Sequence, residues 1–169
     1  MTEQVAACLN DQMNETFALA FHYLACADYC HVRRLHGFAN WFEVEARKEM
    51  GSAMMVRSYL HQNGEASVLL GIPAARSRDW KLENPVLEAP RRSAGVLAAL
   101  DRSVQAARQD ADARTLQFLS WFVHEMAGEE RETQNMVKKF ETFGKNGSGR
   151  EALNWEWMAR AYTAPSLVV

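Results

Sequence analysis

The feature that most constrains the fold of this chain is its long stretches without glycine or proline. Its 169 residues include only four prolines and nine glycines, and most of these lie in a few clusters. Residues from about Thr2 to Cys30 contain neither, and their apolar side chains recur at three- and four-residue steps. That period is typical of an amphipathic helix, so the uninterrupted stretches predict long helices.

The same pattern predicts four long helices, at about Thr2–Cys30, about Gly37–Gln62, from between Pro85 and Arg91 to about Gln109, and at about Ala113–Phe143. The short connection His31–His36 makes the first two helices antiparallel neighbours. A loop of about 20 residues, Glu65–Asn84, fits a bundle in which one long crossover joins two parallel helices.

A short fifth helix, about Arg150–Tyr162, is predicted after the glycine-rich turn Gly144–Gly149, and the tail from Thr163 is expected to fray. The sequence therefore predicts one all-α domain over residues 1–169. Its four-helix bundle covers about 2–143, the crossover joins the second and third helices, and a short C-terminal helix completes it.

Composition narrows the class of protein. Hydrophobic residues make up 48% of the chain and charged residues 24%, and the net charge of −2 gives no support for binding nucleic acid or an anionic membrane. No apolar run is long enough to span a bilayer, and the N-terminus lacks the layout of a signal peptide. Three cysteines without Cys-x-x-Cys spacing argue against a disulfide framework. We expect a cytoplasmic protein.

Acidic residues interrupt two of the predicted apolar faces. Phe38 and Phe42 share the inner stripe of the second helix with Glu45 and Glu49, and Glu129 lies on the apolar stripe of the fourth helix. A carboxylate on a packed face is costly unless it is paired, hydrogen-bonded or bound to metal. These acids are therefore the first candidates for a site.

The helix layout and a series of short motifs resemble the bacterial non-haem ferritins over about Val5–Ala164. The matching segments are Leu9–Asn14, Tyr23, Cys30, Gly37–Ala39, Phe42, Glu49–Met50, Asn63–Gly64, Thr115–Val123, Glu125, Glu129–Glu130 and Gly144–Gly149. The resemblance implies a homo-oligomeric shell of 24 subunits, alone or mixed with other ferritin subunits, around a ferric mineral. It also implies that iron is oxidised from Fe(II) at a di-iron site inside each bundle.

The sequence departs from the family at that di-iron site. The family pattern supplies one Glu from the first helix, Glu-x-x-His from the second, a Glu from the third, and Gln with Glu residues from the fourth, because iron ions bind several oxygen donors plus imidazole. The resemblance implies that Glu49, Glu125 and Glu129 correspond to metal ligands of the family, and that Tyr23 lies beside them. The other family positions hold residues that are poor iron ligands, namely Thr16, Ser52, Ser93 and Met126.

Several assignments stay open at this point. Glu49 and Glu129 contact metal, or they are a buried pair bonded to Tyr23, to arginine or to water. Glu45 matches a position that faces the mineral cavity in some ferritins, or it is a salt-bridged acid. Glu15 is rotated by about 100° from Thr16 and replaces the missing ligand only if the first helix turns or slides.

Two further patterns have a functional and a structural explanation. In bacterioferritins a methionine directly after the second-helix Glu ligates haem, which makes Met50 a candidate, but the same dipeptide occurs in non-haem ferritins and haem is disfavoured. His22, Cys26 and Cys30 recur at four-residue steps, as a soft-metal stripe or as small residues of the core.

The leading hypothesis is an iron-storage subunit with a depleted and inactive ferroxidase centre, relying on partner subunits for oxidation. The alternative is an active ferroxidase using a rearranged site, in which Tyr23 supplies an electron or a hydrogen bond to the acids Glu15, Glu45, Glu49, Glu125 and Glu129. Further alternatives are a non-catalytic scaffold and a haem-binding subunit. The fifth helix and the near-neutral charge disfavour a scaffold and a DNA-protecting miniature ferritin.

Overall fold

The computed structural model describes residues 1–75 and 79–164. These residues form five α-helices and no strand: α1 (Glu3–Val32), α2 (His36–Gln62), α3 (Glu83–Gln109), α4 (Ala113–Lys139) and α5 (Gly147–Met158). A π-helical turn, Phe140–Gly144, continues α4. The predicted bundle of four long helices with a short fifth helix is confirmed. Within the described residues, no helix combines the length and apolar character that crossing a membrane requires.

Side-chain caps fix where several helices begin. Thr2 accepts a hydrogen bond from the backbone N–H of Val5, and Asp112 accepts one from the N–H of Thr115 at 3.0 Å. Asn146 does the same for α5, accepting from Gly149 at 2.7 Å. These side chains satisfy N–H groups that have no partner within the helix. Because Asn146 is the cap, α5 begins before the predicted Arg150, and it also ends earlier than predicted.

The predicted start of the third helix, between Pro85 and Arg91, is wrong. Helix α3 begins at Glu83 and continues through Pro90. Pro85 lies in the first turn, where no N–H is needed, whereas Pro90 removes one hydrogen bond from the interior of the helix. The turn before Pro90 is nevertheless packed, because Val86 and Ala89 are fully buried. Burial of this face outweighs the local cost of the proline.

The crossover between α2 and α3 lies along α1. Asn10, near the start of α1, accepts a hydrogen bond from the N–H of Val68 at 2.7 Å, and Tyr29, near its end, donates to the carbonyl oxygen of Trp80 at 2.9 Å. A connection that contacts both ends of α1 travels the length of the bundle, so α2 and α3 are parallel, as predicted. Parts of the predicted loop and tail, 76–78 and 165–169, lie outside the described residues.

Helix α5 docks on the start of α2 through a close backbone approach. A Cβ at Gly37 would overlap the carbonyl oxygen of Asn154, so only glycine fits there. The Asn154 side chain accepts a hydrogen bond from the Gly37 N–H at 2.8 Å. Beside this contact, the rings of Phe38 and Trp157 meet edge to face with centroids 4.7 Å apart. The end of the bundle is thereby closed.

The chain after α5 turns back along α2. Asn40 donates hydrogen bonds to the carbonyl oxygens of Trp157 and Arg160, both at 2.8 Å. The guanidinium of Arg160 lies over the ring of Trp41, with its central carbon 4.9 Å from the centroid. These contacts direct the Arg160 side chain towards the carboxylates of α2 and α4.

Candidate functional site

Two of the predicted carboxylates meet inside the bundle. Glu49 of α2 and Glu129 of α4 line a cavity of about 10 Å³, together with Tyr23 of α1 and Ser93 of α3. Glu49 is only 4% exposed, whereas Glu129 is half-buried. A cavity of this size holds about one water molecule or one ion. The structure therefore brings together the two acids that the apolar stripes place on inner faces.

Burial and mutual repulsion govern the protonation of this pair. Burial raises the pKa of Glu49 well above its usual range, and the charges of Glu129 and Glu45 raise it further. Burial, followed by the charge of Glu45, raises the pKa of Glu129 to about 7. The two carboxyls thus retain a proton into the neutral pH range, because the low-polarity interior disfavours two adjacent negative charges.

Tyr23 closes the cavity on the α1 side. It is 1% exposed and packs against Phe42, with ring centroids 5.9 Å apart. Burial, and after it the charge of Glu49, raises the pKa of its phenol well above 10. Tyr23 is therefore neutral at all physiological pH values and can act towards the carboxyls only as a phenol.

The hydroxyls at two of the family's ligand positions are already engaged. Thr16 donates to the carbonyl oxygen of Gln12 at 2.8 Å, and Ser93 donates to that of Pro90 at 3.0 Å. Each hydroxyl hydrogen is used within its own helix. A neutral hydroxyl also brings no negative charge to a cation, so neither residue replaces a carboxylate.

The remaining two positions add no strong iron ligand either. Met126 is 8% exposed and lines the cavity with a thioether, a soft donor that suits hard iron ions poorly. Ser52 lies outside the cavity, in an outer cleft of about 460 Å³ that is also lined by Glu125 and Glu129. No imidazole takes the place of the family histidine among the residues that line the cavity.

Two other predicted acids, Glu15 and Glu125, do not line the cavity. Glu15 is exposed, and its Oε2 lies 3.7 Å from the position that a Cβ on Gly95 of α3 would take. Glu125 is exposed in the outer cleft. Across residues 1–75 and 79–164, no three His, Cys, Asp or Glu side chains are arranged to hold a metal ion. The donor set present does not fit a di-iron centre.

Glu45 is 1% exposed and is held by two cations of the chain. Lys48 Nζ lies 3.2 Å from its Oε1, and Arg160 Nη2 lies 2.5 Å from the same oxygen. Both cations also bind Glu132 of α4, Lys48 at 3.1 Å and Arg160 at closer range. The structure therefore places Glu45 in a salt-bridged network, one of the two interpretations that the sequence left open.

Sequence reasoning missed Arg160 and Glu132. Arg160 is 115 residues away from Glu45 in the sequence, and no helical period connects the two. The one signal in the sequence was Lys48, a cation three residues after Glu45 on the same helix, where the two side chains can pair.

The candidate haem ligand Met50 and the stripe of His22, Cys26 and Cys30 lie outside the Glu49 cavity. Met50 is half-buried and is not among the residues that line the Glu49 cavity. Cys26 Sγ lies 3.6 Å from His22 Nε2, and burial raises the pKa of the Cys30 thiol to about 12 and that of Cys26 further. Burial also lowers the pKa of His22 to about 4. Protonated thiols of this kind are packing residues rather than reactive ones.

The helix order, the long crossover and the paired carboxylates between α2 and α4 define a ferritin-like bundle. Residues 6–143 match the family model described as a ferritin-like domain, and the chain belongs to the ferritin family. The resemblance found in the sequence is thus confirmed.

Similar proteins support the same family. Bacterial non-heme ferritins of Staphylococcus epidermidis and Staphylococcus aureus are each 25% identical over 162 residues, which are 96% of this chain and 98% of the relative. An Archaeoglobus fulgidus ferritin engineered into a closed form superposes with a TM-score of 0.90 at 26% identity, covering 96% of this chain and 99% of that one. The open-pore ferritin of the same archaeon gives a TM-score of 0.90 at 25% identity, covering 95% and 98%.

Proposed function

We propose that this chain is an iron-storage subunit of a ferritin shell, and that its own bundle does not rapidly oxidise Fe(II). Membership of the ferritin family and the names of the similar proteins support storage of iron as cargo. The incomplete donor set of the bundle supports the second part.

One observation carries the proposal about oxidation. A di-iron centre needs several charged oxygen donors and an imidazole, and no imidazole lines the cavity. Of the four acids that line it, Glu45 is held by Lys48 and Arg160, and Glu130 is exposed. Glu49 and Glu129 remain as the inner donors. Those two carboxyls retain a proton near pH 7, which a metal ion must displace. Lys48 lies beside them and also opposes the approach of a cation. Iron would bind weakly here, and two iron ions would not be held at fixed positions relative to each other.

The shell itself is part of the proposal. Copies of this chain form it alone or together with ferritin subunits that carry a complete oxidation site, and the family expectation is 24 subunits. The cytoplasmic location and the disfavoured haem stay predictions from the sequence. Light scattering of the purified protein separates a shell from a dimeric scaffold, and a Soret band in the visible spectrum would reveal haem.

Stopped-flow oxidation of Fe(II) in air tests the catalytic part, with purified metal-free protein and oxygen uptake recorded in parallel. We expect slow growth of mineral absorbance without a fast phase. A fast phase that saturates at about two irons per subunit would contradict the proposal. If Glu49→Ala with Glu129→Ala then abolished it, the rearranged carboxylate site would be the correct alternative.

A further inference from the structure

The turn before α5 contains an Asn–Gly pair whose side-chain amide and following backbone nitrogen can react with each other. Asn146, Gly147 and Ser148 are all exposed, so water has access to the pair. A Cβ at Gly147 would have open space around it, and the glycine itself carries no side chain to hinder its nitrogen. Attack of that nitrogen on the Asn146 amide carbon would close a five-membered cyclic imide.

The backbone nitrogen of Gly147 is free to act as the nucleophile. Gly147 is the first residue of α5, so its N–H has no acceptor within that helix. None of the hydrogen bonds of the described residues uses this N–H either. Ring closure requires rotation about the Asn146 ψ, which is extended at 158°. Because Asn146 caps α5 from outside, no helical residue has to change its dihedral angles.

The amide carbon of Asn146 is activated as the electrophile. Its Oδ1 accepts hydrogen bonds from the N–H of Gly149 at 2.7 Å and from the hydroxyl of Ser148 at 3.3 Å. Negative charge develops on this oxygen when the carbon becomes tetrahedral, so the donors around the cap stabilise the intermediate, as the donors of an oxyanion hole do. The partial positive charge at the N-terminus of α5 acts in the same direction.

We propose that the fold selects Asn146 for spontaneous deamidation, and that the isoaspartate formed there loosens the start of α5. The Gly147 nitrogen bonds to the Asn146 side-chain carbon, the bond from that carbon to Nδ2 breaks, and the proton of the Gly147 N–H leaves with ammonia. Water then opens the imide. Opening at the side-chain carbon gives aspartate at this position, whereas opening at the main-chain carbon gives isoaspartate. The reaction needs only water and is independent of iron storage.

The two products affect α5 differently. Aspartate retains the capping oxygen and adds a negative charge at the positive end of the helix dipole, which is stabilising. In isoaspartate the main chain runs through the side-chain carbon of residue 146. This displaces the capping oxygen and also the carbonyl oxygen that accepts from the Arg150 N–H at 3.0 Å. The first N–H groups of α5 then lack their acceptors, and we expect the first turn to open locally.

A second Asn–Gly pair, Asn63–Gly64 at the end of α2, is a matched control within the same chain. The Gly64 N–H donates to the carbonyl oxygen of His61 at 3.0 Å, and Asn63 Nδ2 donates to that of Tyr59 at 2.8 Å. The nucleophile of this pair is therefore engaged, and no hydrogen bond of the described residues activates its amide oxygen. One hydrogen bond of ordinary strength on the nucleophile slows attack by roughly tenfold.

Peptide mapping by mass spectrometry measures both pairs in one sample of the folded protein, incubated at mildly alkaline pH. Labelling by isoaspartyl methyltransferase identifies the isoaspartate. We expect Asn146 to convert at least about tenfold faster than Asn63. In denaturant both pairs lose their hydrogen bonds, and their rates should become similar. Equal rates in the folded protein, faster conversion of Asn63, or a difference that persists in denaturant would each overturn the proposal.

The variant Gly147→Ala tests the consequence for α5. Its added Cβ hinders the attacking nitrogen but meets no atom within 4 Å, so the variant should keep the fold. As isoaspartate accumulates, the aged parent should become open to proteolysis in α5, whereas aged Gly147→Ala should resist both changes. Isoaspartate that accumulates in the parent without new cleavage in α5 would overturn the second part. The comparison of Asn146 with Asn63 needs no variant and decides the first part even if Gly147→Ala fails to fold.

Discussion

The buried carboxyl pair predicts that the protein loses stability as the pH rises from acid to neutral. Burial, and then the charge of Glu45, raises the pKa of Glu129 from 4.5 to about 7. Between these two values the folded state holds more protons than the unfolded state, so the free energy of unfolding falls with rising pH. The contribution is fully present below pH 4.5 and is lost through pH 7.

The size of the effect follows from the shift. Each unit of pKa corresponds to about 1.4 kcal/mol, so a shift of roughly 2.5 units corresponds to about 3 kcal/mol. The raised pKa of Glu49 acts in the same direction. For a chain of this length, about 3 kcal/mol shifts the Tm by about 6–12 °C.

The variant Glu129→Gln keeps the shape of the side chain and removes its titration. It should match the parent near pH 4.5 and melt at a higher temperature at pH 8, because a neutral amide costs less to bury than a carboxylate. Thermal unfolding followed by circular dichroism measures this, at one protein concentration and one assembly state. Glu151→Gln, on an exposed side of α5, is the control and should leave the pH dependence unchanged.

A pH dependence in Glu129→Gln equal to that of the parent would refute the reasoning. So would a parent that becomes more stable between pH 4.5 and pH 8, since that sign requires a lowered pKa. Either result would mean that solvent or a bound cation neutralises the pair.

Two further predictions concern packing. Gly37→Ala should lower the free energy of unfolding by about 1–3 kcal/mol and expose α5 to proteolysis, because the new Cβ meets the carbonyl oxygen of Asn154. The control Gly128→Ala, which has open space at its Cβ, should be neutral or stabilising. Tyr59→Phe should cost about 1 kcal/mol in denaturant unfolding, because Tyr59 donates to the buried hydroxyl of Thr115 at 3.0 Å; an unchanged midpoint would show that this bond contributes nothing.

Periodicity was sufficient to predict the helices but not every boundary. The apolar stripes place α1, α2 and α4 within a few residues of their observed ends, because each stripe is buried over its whole length. The predicted start of α3 lies too late because a proline is disfavoured in the interior of a helix, whereas burial of Val86 and Ala89 carries α3 through Pro90. That packing is a tertiary effect, and it cannot be read from the segment alone.

The candidate site, like the helices, could be predicted only in part from the sequence. Glu49 and Glu129 could be predicted as neighbours because both interrupt apolar stripes of helices that face the same core. The position of Arg160 could not be predicted, because the path of the chain after α5 depends on contacts such as those of Asn40 with the end of that helix. The sequence indicates which carboxylates are buried, whereas the fold determines which of them form an ion pair with a lysine or arginine.

The structure accommodates the acids of α2 and α4 in two different ways. The buried carboxylate of Glu45 and the exposed one of Glu132 are both bonded by Lys48 and Arg160. At the adjacent pair of Glu49 and Glu129, which takes part in none of the ion pairs of the described residues, the charge is instead reduced by a retained proton.

Both arrangements offset the cost of placing negative charge on or beside a packed face. They differ in the group that offsets it, which is a pair of cationic side chains in the first case and a proton in the second. The packed faces of α2 and α4 therefore tolerate these acids because cations of the chain or retained protons offset their charge.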